Sequence, residues 1–268
     1  MTLSGAVDST MFAALHGELT PYPWREPTPA PDAYSLFVAR SSAMGWLIEP
    51  TGEHCGLWGM NDAGFDSSAG PRHSRAAWFQ VSLPTPTAID RPLPVQPFLA
   101  CAESVAARVG VLHLKAVQVL LPVQSLASPE GESQRTGAVV RLLQEIGWFG
   151  DLPPQERTGV RVTLDGGQNP TIRSVAPDML GWLRELKHDV FGDFFLTDKP
   201  VMLRPAITDE LWRGPARHSV TIDGTLAEWS LDGLGWLAAL LAEAGRHHRL
   251  DSPLMLSAAP ILDSVSAP

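Results

Sequence analysis

Residues 218–259 read HSVTIDGTLAEWSLDGLGWLAALLAEAGRHHRLDSPLMLSAA, and the fold turns on how that stretch divides. HSVTI and TLAEW are short extended runs on either side of Asp223-Gly224, a dipeptide that tolerates the positive φ of a two-residue hairpin turn. Ser230 stands where a helix N-cap belongs, and Leu234, Leu237, Leu241 and Ala244 then recur at helical spacing. Gly245 is placed to close that helix in the left-handed conformation, with Arg246 and Arg249 suited to its negative end. Residues 253–259 (PLMLSAA) form an apolar run of strand length. The order is hairpin, helix, strand.

Immediately upstream, residues 159–164 (GVRVTL) read as a strand turned by Asp165-Gly166-Gly167. A helix is expected over 178–190 with Pro177 at its start, and 194–203 holds two extended runs, FFLT and VMLR, about Asp198-Lys199-Pro200. The simplified order is β-α-β-β-α-β, the ferredoxin-like arrangement. A further helix is expected over 137–149, preceded by a surface linker at 124–136 (QSLASPEGESQRT).

The first half has a similar grammar. Residues 7–19 read as an amphipathic helix, followed by a strap at 21–31 whose five prolines forbid helix. Tyr22 and Trp24 alternate with those prolines, so the strap is expected to lie against the body. Residues 34–49 carry two apolar runs, the second (MGWLIE) a strand to which 55–60 (CGLWGM) can pair. Residues 61–75 are the most loop-like stretch, ahead of a strand at 77–83. A helix at 98–109 closed by Gly110 and a strand at 116–121 (AVQVLL) complete the half. The expected class is α+β: tandem ferredoxin-like (βαββαβ) halves forming a pseudo-dimer, spanning 1–123 and 137–268 about the linker. The alternative is one α+β domain with a single large mixed sheet.

Composition bounds the function. An apolar fraction of 44% with 18% charged residues is globular. The net charge is −9 and both halves are mildly acidic, which repels phosphate backbones, so nucleic-acid binding is disfavoured. Two cysteines, Cys55 and Cys101, are too few for a disulfide framework. The N-terminus lacks a basic start and no run reaches 18 uninterrupted apolar residues, so a soluble cytoplasmic protein without a membrane partner is expected.

Candidate chemistry is sparse. His54 and Cys55 pair an imidazole with a thiol, as nucleophilic catalysis requires, but neighbours on a strand point to opposite faces. Asp62, Asp66 and His73 lie in the 61–75 loop beside Arg72 and Arg75, two cations that are candidate partner- or ligand-binding residues. Two carboxylates and a histidine there can supply a base, although their spacing matches no tight metal motif. Cys101, His188 and the pair His247-His248 read as structural. Most of the nine tryptophans are expected in the core, while Trp24 and Trp212 sit in loops and are candidate partner anchors. GxGxxG, GxxxxGK[ST], GxSxG, HExxH and paired CxxC are all missing. No cofactor or metal is expected.

The favoured expectation is a non-enzymatic protein that binds a protein partner or itself through a sheet face or inter-half cleft. The alternative is a small-molecule enzyme or ligand-binding protein using an aromatic-lined cleft and the 61–75 loop. RNA processing is suggested by fold analogy alone, and the acidic balance counts against it.

Overall fold

Ser230 caps a helix as expected: in a computed structural model of the chain its Oγ accepts from the Gly233 N–H at 3.0 Å, and the helix runs Leu231–His247. The structure describes residues 10–24, 32–48, 56–66, 75–84, 91–126, 132–151, 153, 157–203 and 217–261.

The described residues form eight strands and five α-helices. In chain order these are β1 (Thr10–Pro21), α1 (Ala33–Ala43), β2 (Gly59–Phe65), β3 (Arg75–Ser82), α2 (Val95–Val109), β4 (Gly110–Leu121), α3 (Glu132–Glu145), β5 (Thr158–Asp165), α4 (Thr171–Glu185), β6 (Phe191–Thr197), β7 (Ser219–Leu226), α5 (Leu231–His247) and β8 (Leu254–Pro260). All eight strands join one sheet in the order β2-β3-β1-β4-β8-β5-β7-β6, and every pair in it is antiparallel. The single-sheet α+β expectation therefore fits, with the sheet antiparallel rather than mixed. No described helix is long and apolar enough to cross a membrane.

The helices pack on one face of the sheet. Met11, Ala13, Leu15, Phe79, Val117, Val119, Val162, Ile222 and Leu256 meet Phe37, Phe98, Met179 and Leu237 in one core. The helix α5 is its axis, buried almost all round, and Gly235 lets it approach α2 closely: a Cβ there would stand 2.6 Å from the Gln96 Cα. Gln96 Nε2 also donates to Asp232 at 2.5 Å, tying the starts of the two helices.

Several expected elements are corrected. The helix expected over 7–19 is not formed by its described part: Thr10–Leu19 lie in β1, whose two faces are both buried, and 7–9 lie outside the described residues. Asp223-Gly224 makes no hairpin turn but lies inside β7. The glycine serves close packing instead, because a Cβ at Gly224 would stand 2.6 Å from the Phe191 ring. The 34–49 segment is mostly α1, capped by Asp32, and MGWLIE contributes only the Leu47–Trp58 bridge. Strands β2 and β3 take both ends of the expected 61–75 loop. The expected linker at 124–136 carries a 3-10 turn (Val123–Leu126) and the start of α3, and α4 begins at Thr171 with Pro177 inside it. The run VMLR is not a strand: 201–203 follow β6 as irregular chain. The helix α5 passes through Gly245, and Arg249 takes the left-handed conformation (φ 58).

Candidate functional site

Alternation along a strand sends every second side chain away from the helices. That second set is where the buried polar groups collect. Of the nine buried polar or charged residues among those described, Thr10, His16, Gln118, Thr163, Thr221, Asp223 and Ser257 lie on the helix-free face; only Ser41 and Glu243 lie on the helix side. Burial of a polar group is unfavourable unless it is hydrogen-bonded, so such a concentration calls for an account.

Register sets the residues in a row. Trp78 pairs with Ala14, Ala14 with Gln118, Gln118 with Ser257, Ser257 with Thr163 and Thr163 with Thr221, crossing β3, β1, β4, β8, β5 and β7. Gln118 Nε2 donates to Ser257 Oγ at 3.3 Å, and the Thr163 and Thr221 hydroxyls share a bond of 3.1 Å. Thr163 Oγ1 also accepts from the Val201 N–H at 2.8 Å, so the chain after β6 folds over this end of the row. Gln118 is 7% exposed and its Oε1 has no hydrogen-bond partner among the described residues.

In the neighbouring row Arg161 and Asp223 form a two-pronged ion pair, Nε to Oδ1 at 2.7 Å and the second nitrogen to Oδ2 at 2.6 Å. The fork geometry commits this guanidinium to a single carboxylate. At the other end the face is apolar. Phe12, Ala14, Leu120 and Met255 form a small cluster with Trp78, whose ring stacks on Phe12 at 6.1 Å. Gly64 makes room for that indole, since a Cβ there would stand 2.7 Å from its Nε1.

Asp62 lies exposed on β2 and accepts from its neighbour Ala63 N–H at 2.8 Å. Asp66 pairs with Arg75 at 2.6 Å across the β2–β3 end, and Arg75 also stands 5.7 Å from the Trp78 ring. Asp62 thus accepts from the adjacent backbone amide and Asp66 is engaged in an ion pair. The described start of the strap is tied to the body, Pro21 pairing with Gly110 and the Tyr22 N–H donating to the Val109 carbonyl at 3.0 Å, while the Trp24 side chain is 71% exposed and stacks on Tyr22 at 5.2 Å. His54, Cys55, Arg72, His73 and Trp212 lie outside the described residues.

Burial pushes the Cys101 thiol up to about 11, against the opposing bond with Ser41, which leaves it unreactive. His188 lies beyond the end of α4, and burial lowers it to about 4. His247 stacks on Trp182 at 5.0 Å, and the His248 N–H caps α5 at the Ala244 carbonyl. No group of three or more His, Cys, Asp or Glu among the described residues is placed to hold a metal ion.

The polar row escaped sequence reasoning because each member is a single polar residue in an apolar strand: Gln118 in AVQVLL, Ser257 in LMLSAA, Thr163 in RVTL. That interruption was the available signal. It becomes a site only when the strand order brings the interruptions side by side. Compared with protein-family models, curated proteins and solved structures, the chain matches none.

Proposed function

We infer that the chain is built of two ferredoxin-like halves joined edge to edge, and that the helix-free face at their junction binds a small molecule. Supporting the first part, β1-α1-β2-β3-α2-β4 and β5-α4-β6-β7-α5-β8 repeat one order of elements. Each set has the same sheet order, β2-β3-β1-β4 and β6-β7-β5-β8, and the two meet at β4–β8, with α3 between them in sequence.

The observation that carries the binding reading is Gln118, a buried amide with one end unbonded in a polar row at that junction. A buried acceptor left unmet costs roughly 1–3 kcal/mol, which a bound molecule would offset. An apolar wall beside a few convergent polar groups is the usual make-up of such sites. The test is native mass spectrometry of the protein purified from the organism that encodes it. The expected result is a small-molecule mass excess that disappears on denaturation and is missing from Gln118→Leu. A bare wild-type mass, or an excess that the variant keeps, overturns the reading.

Self-association has a separate observation in its favour. On the edge strand β6, Phe195 and Leu196 are 58% and 44% exposed, and nearby Met202 is 73% exposed. An open edge with apolar side chains is a template for a strand of a second copy. Light scattering on the wild type and Phe195→Lys tests it: a dimer that the lysine dissociates supports the pairing, and a monomer at all concentrations ends it.

A further inference from the structure

Among the described residues β2 and β6 are the two ends of the sheet, and they hold equivalent places in the two sets of elements. The β2 edge is blunted. Asn61 and Asp62 are exposed on it, the ladder slips between Met60 and Asp62, and the Asp62 carboxylate bonds its own strand at the Ala63 N–H. The β6 edge is apolar. Phe195 stands beside Asp223 on the helix-free face and Leu196 beside Ile222 on the helix side, so the strand exposes one large apolar side chain on each face of the sheet. A strand laid along β6 covers both at once, whereas a surface docked on either face covers only one.

The occupant that fits is a second copy of the same strand. Two antiparallel copies of β6 are related by a two-fold axis normal to the sheet, which keeps every side chain on its own face. A residue then faces its own copy, or one an even number of positions away. The bulge lies between Gly192 and Phe195, where Asp193 has a φ of 49, and 195–197 pair regularly with β7 beyond it. Leu196 is the middle of that regular stretch. An axis there sets Leu196 on Leu196 and Phe195 on Thr197, using the whole stretch of both copies.

Charge agrees with this register. Phe194 of one copy comes opposite Asp198 of the other, and the Phe194 carbonyl already holds Arg184 at 2.9 Å, with the guanidinium 4.9 Å from the ring. Asp198 is thus brought to Arg184, while Asp193 and Lys199 fall at the same end of the ladder. An axis on Phe195 would carry the ladder into the bulge. An axis on Thr197 would set Asp198 against Leu196 and Lys199 against Phe195, placing charge on apolar side chains.

On the premise that the chain self-associates, we propose that two copies join β6 to β6, antiparallel, about a two-fold axis at Leu196, continuing the sheet of one into the sheet of the other. The pair is closed: each copy uses its apolar edge, the blunted β2 edges remain outermost, and growth stops at two.

The test reads mass and register separately. Light scattering of the wild type across a concentration series is expected to move from one chain to two and no further. Phe195→Cys, Leu196→Cys and Thr197→Cys are then oxidised with copper phenanthroline at concentrations where each is dimeric, with the wild type as the control for Cys55 and Cys101. Only at the axis does a residue face its own copy; a neighbour meets its copy on a diagonal of about 7–8 Å, beyond disulfide reach. Cross-linking is expected to be at least about tenfold faster for Leu196→Cys than for either neighbour. A dimer that cross-links fastest at 195 or 197 overturns the register, and one that cross-links at none of the three overturns β6 as the junction; self-association stands in both cases. A mass that keeps rising with concentration overturns the closed pair in favour of β6 on the β2 edge of the next copy. A monomer at every concentration ends the proposal together with the self-association it rests on.

Discussion

Gln118 separates a binding role from a structural one. Truncating Gln118 gives up its bond to Ser257, worth about 1 kcal/mol, but also removes an unmet buried acceptor that costs roughly 1–3 kcal/mol. Gln118→Leu is therefore expected to leave the melting temperature unchanged or to raise it, in the pattern of sites that trade stability for function. A fall of several degrees in a thermal melt would make the side chain part of the framework. Asp223 is the contrast. Its carboxylate carries both prongs of Arg161, so Asp223→Ala strands a half-buried guanidinium and should lower stability by roughly 2–3 kcal/mol in urea unfolding. His188 sets a pH dependence. Burial holds it at about 4 when folded, its Nε2 has no partner among the described residues, and the unfolded side chain titrates at the ordinary 6.5. Between those values the unfolded chain binds the extra proton. The contribution is thus complete above pH 6.5 and is lost as pH falls towards 4, at up to roughly 1.4 kcal/mol per pH unit. Urea midpoints measured across that window should fall less steeply for His188→Gln than for the wild type.

Among the elements, α5 shows how much a glycine can decide. Gly235→Val would drive a branched side chain into the α2 backbone at Gln96. It should cost about 1–3 kcal/mol, visible as a lower urea midpoint, with the exposed Gly137 as a neutral comparison. Much of this layer was legible: the Ser230 cap, the α2 and α5 stripes, β8 and the Asp165-Gly166-Gly167 turn all follow from local chemistry. β1 was not. Met11, Ala13 and Leu15 fill the helix-side core while Phe12, Ala14 and His16 are buried on the reverse, so no period-2 alternation survives to distinguish strand from helix. Asp223-Gly224 misled for a different reason. Both residues suit a turn, but in β7 they serve partners distant in sequence, Arg161 for the one and the Phe191 ring for the other. The helix-free site was illegible on the same ground, since its row draws on six strands and adjacency there is a property of strand order.

At the scale of the molecule the two sets of strands share more than a linker. The pair β4–β8 runs from Val117↔Ala258 to Leu121↔Leu254, and on the helix side α2 packs on α5 through Gly235. Leu254, Leu256 and Ala258 belong to the same core as Val117, Val119 and Leu121. Backbone pairing and side-chain packing thus bridge one junction, so neither set can unfold without exposing apolar surface of the other. Unfolding is expected to be a single transition, with tryptophan fluorescence and far-ultraviolet circular dichroism coincident across a urea titration. The tryptophans make this a fair comparison, because Trp58 and Trp78 lie in the first set and Trp182 and Trp236 in the second. Two separated transitions would mean that the halves are independent domains and that the β4–β8 seam is weak. Weakening the seam directly gives the decisive comparison. Val119→Ala removes a buried side chain from the middle of that ladder and should lower stability by roughly 1–3 kcal/mol. In a cooperative molecule both probes shift together; in a divisible one they come apart. Because Gln118 and Ser257 face each other across the same two strands, a seam that opened on its own would also part the hydrogen bond between them.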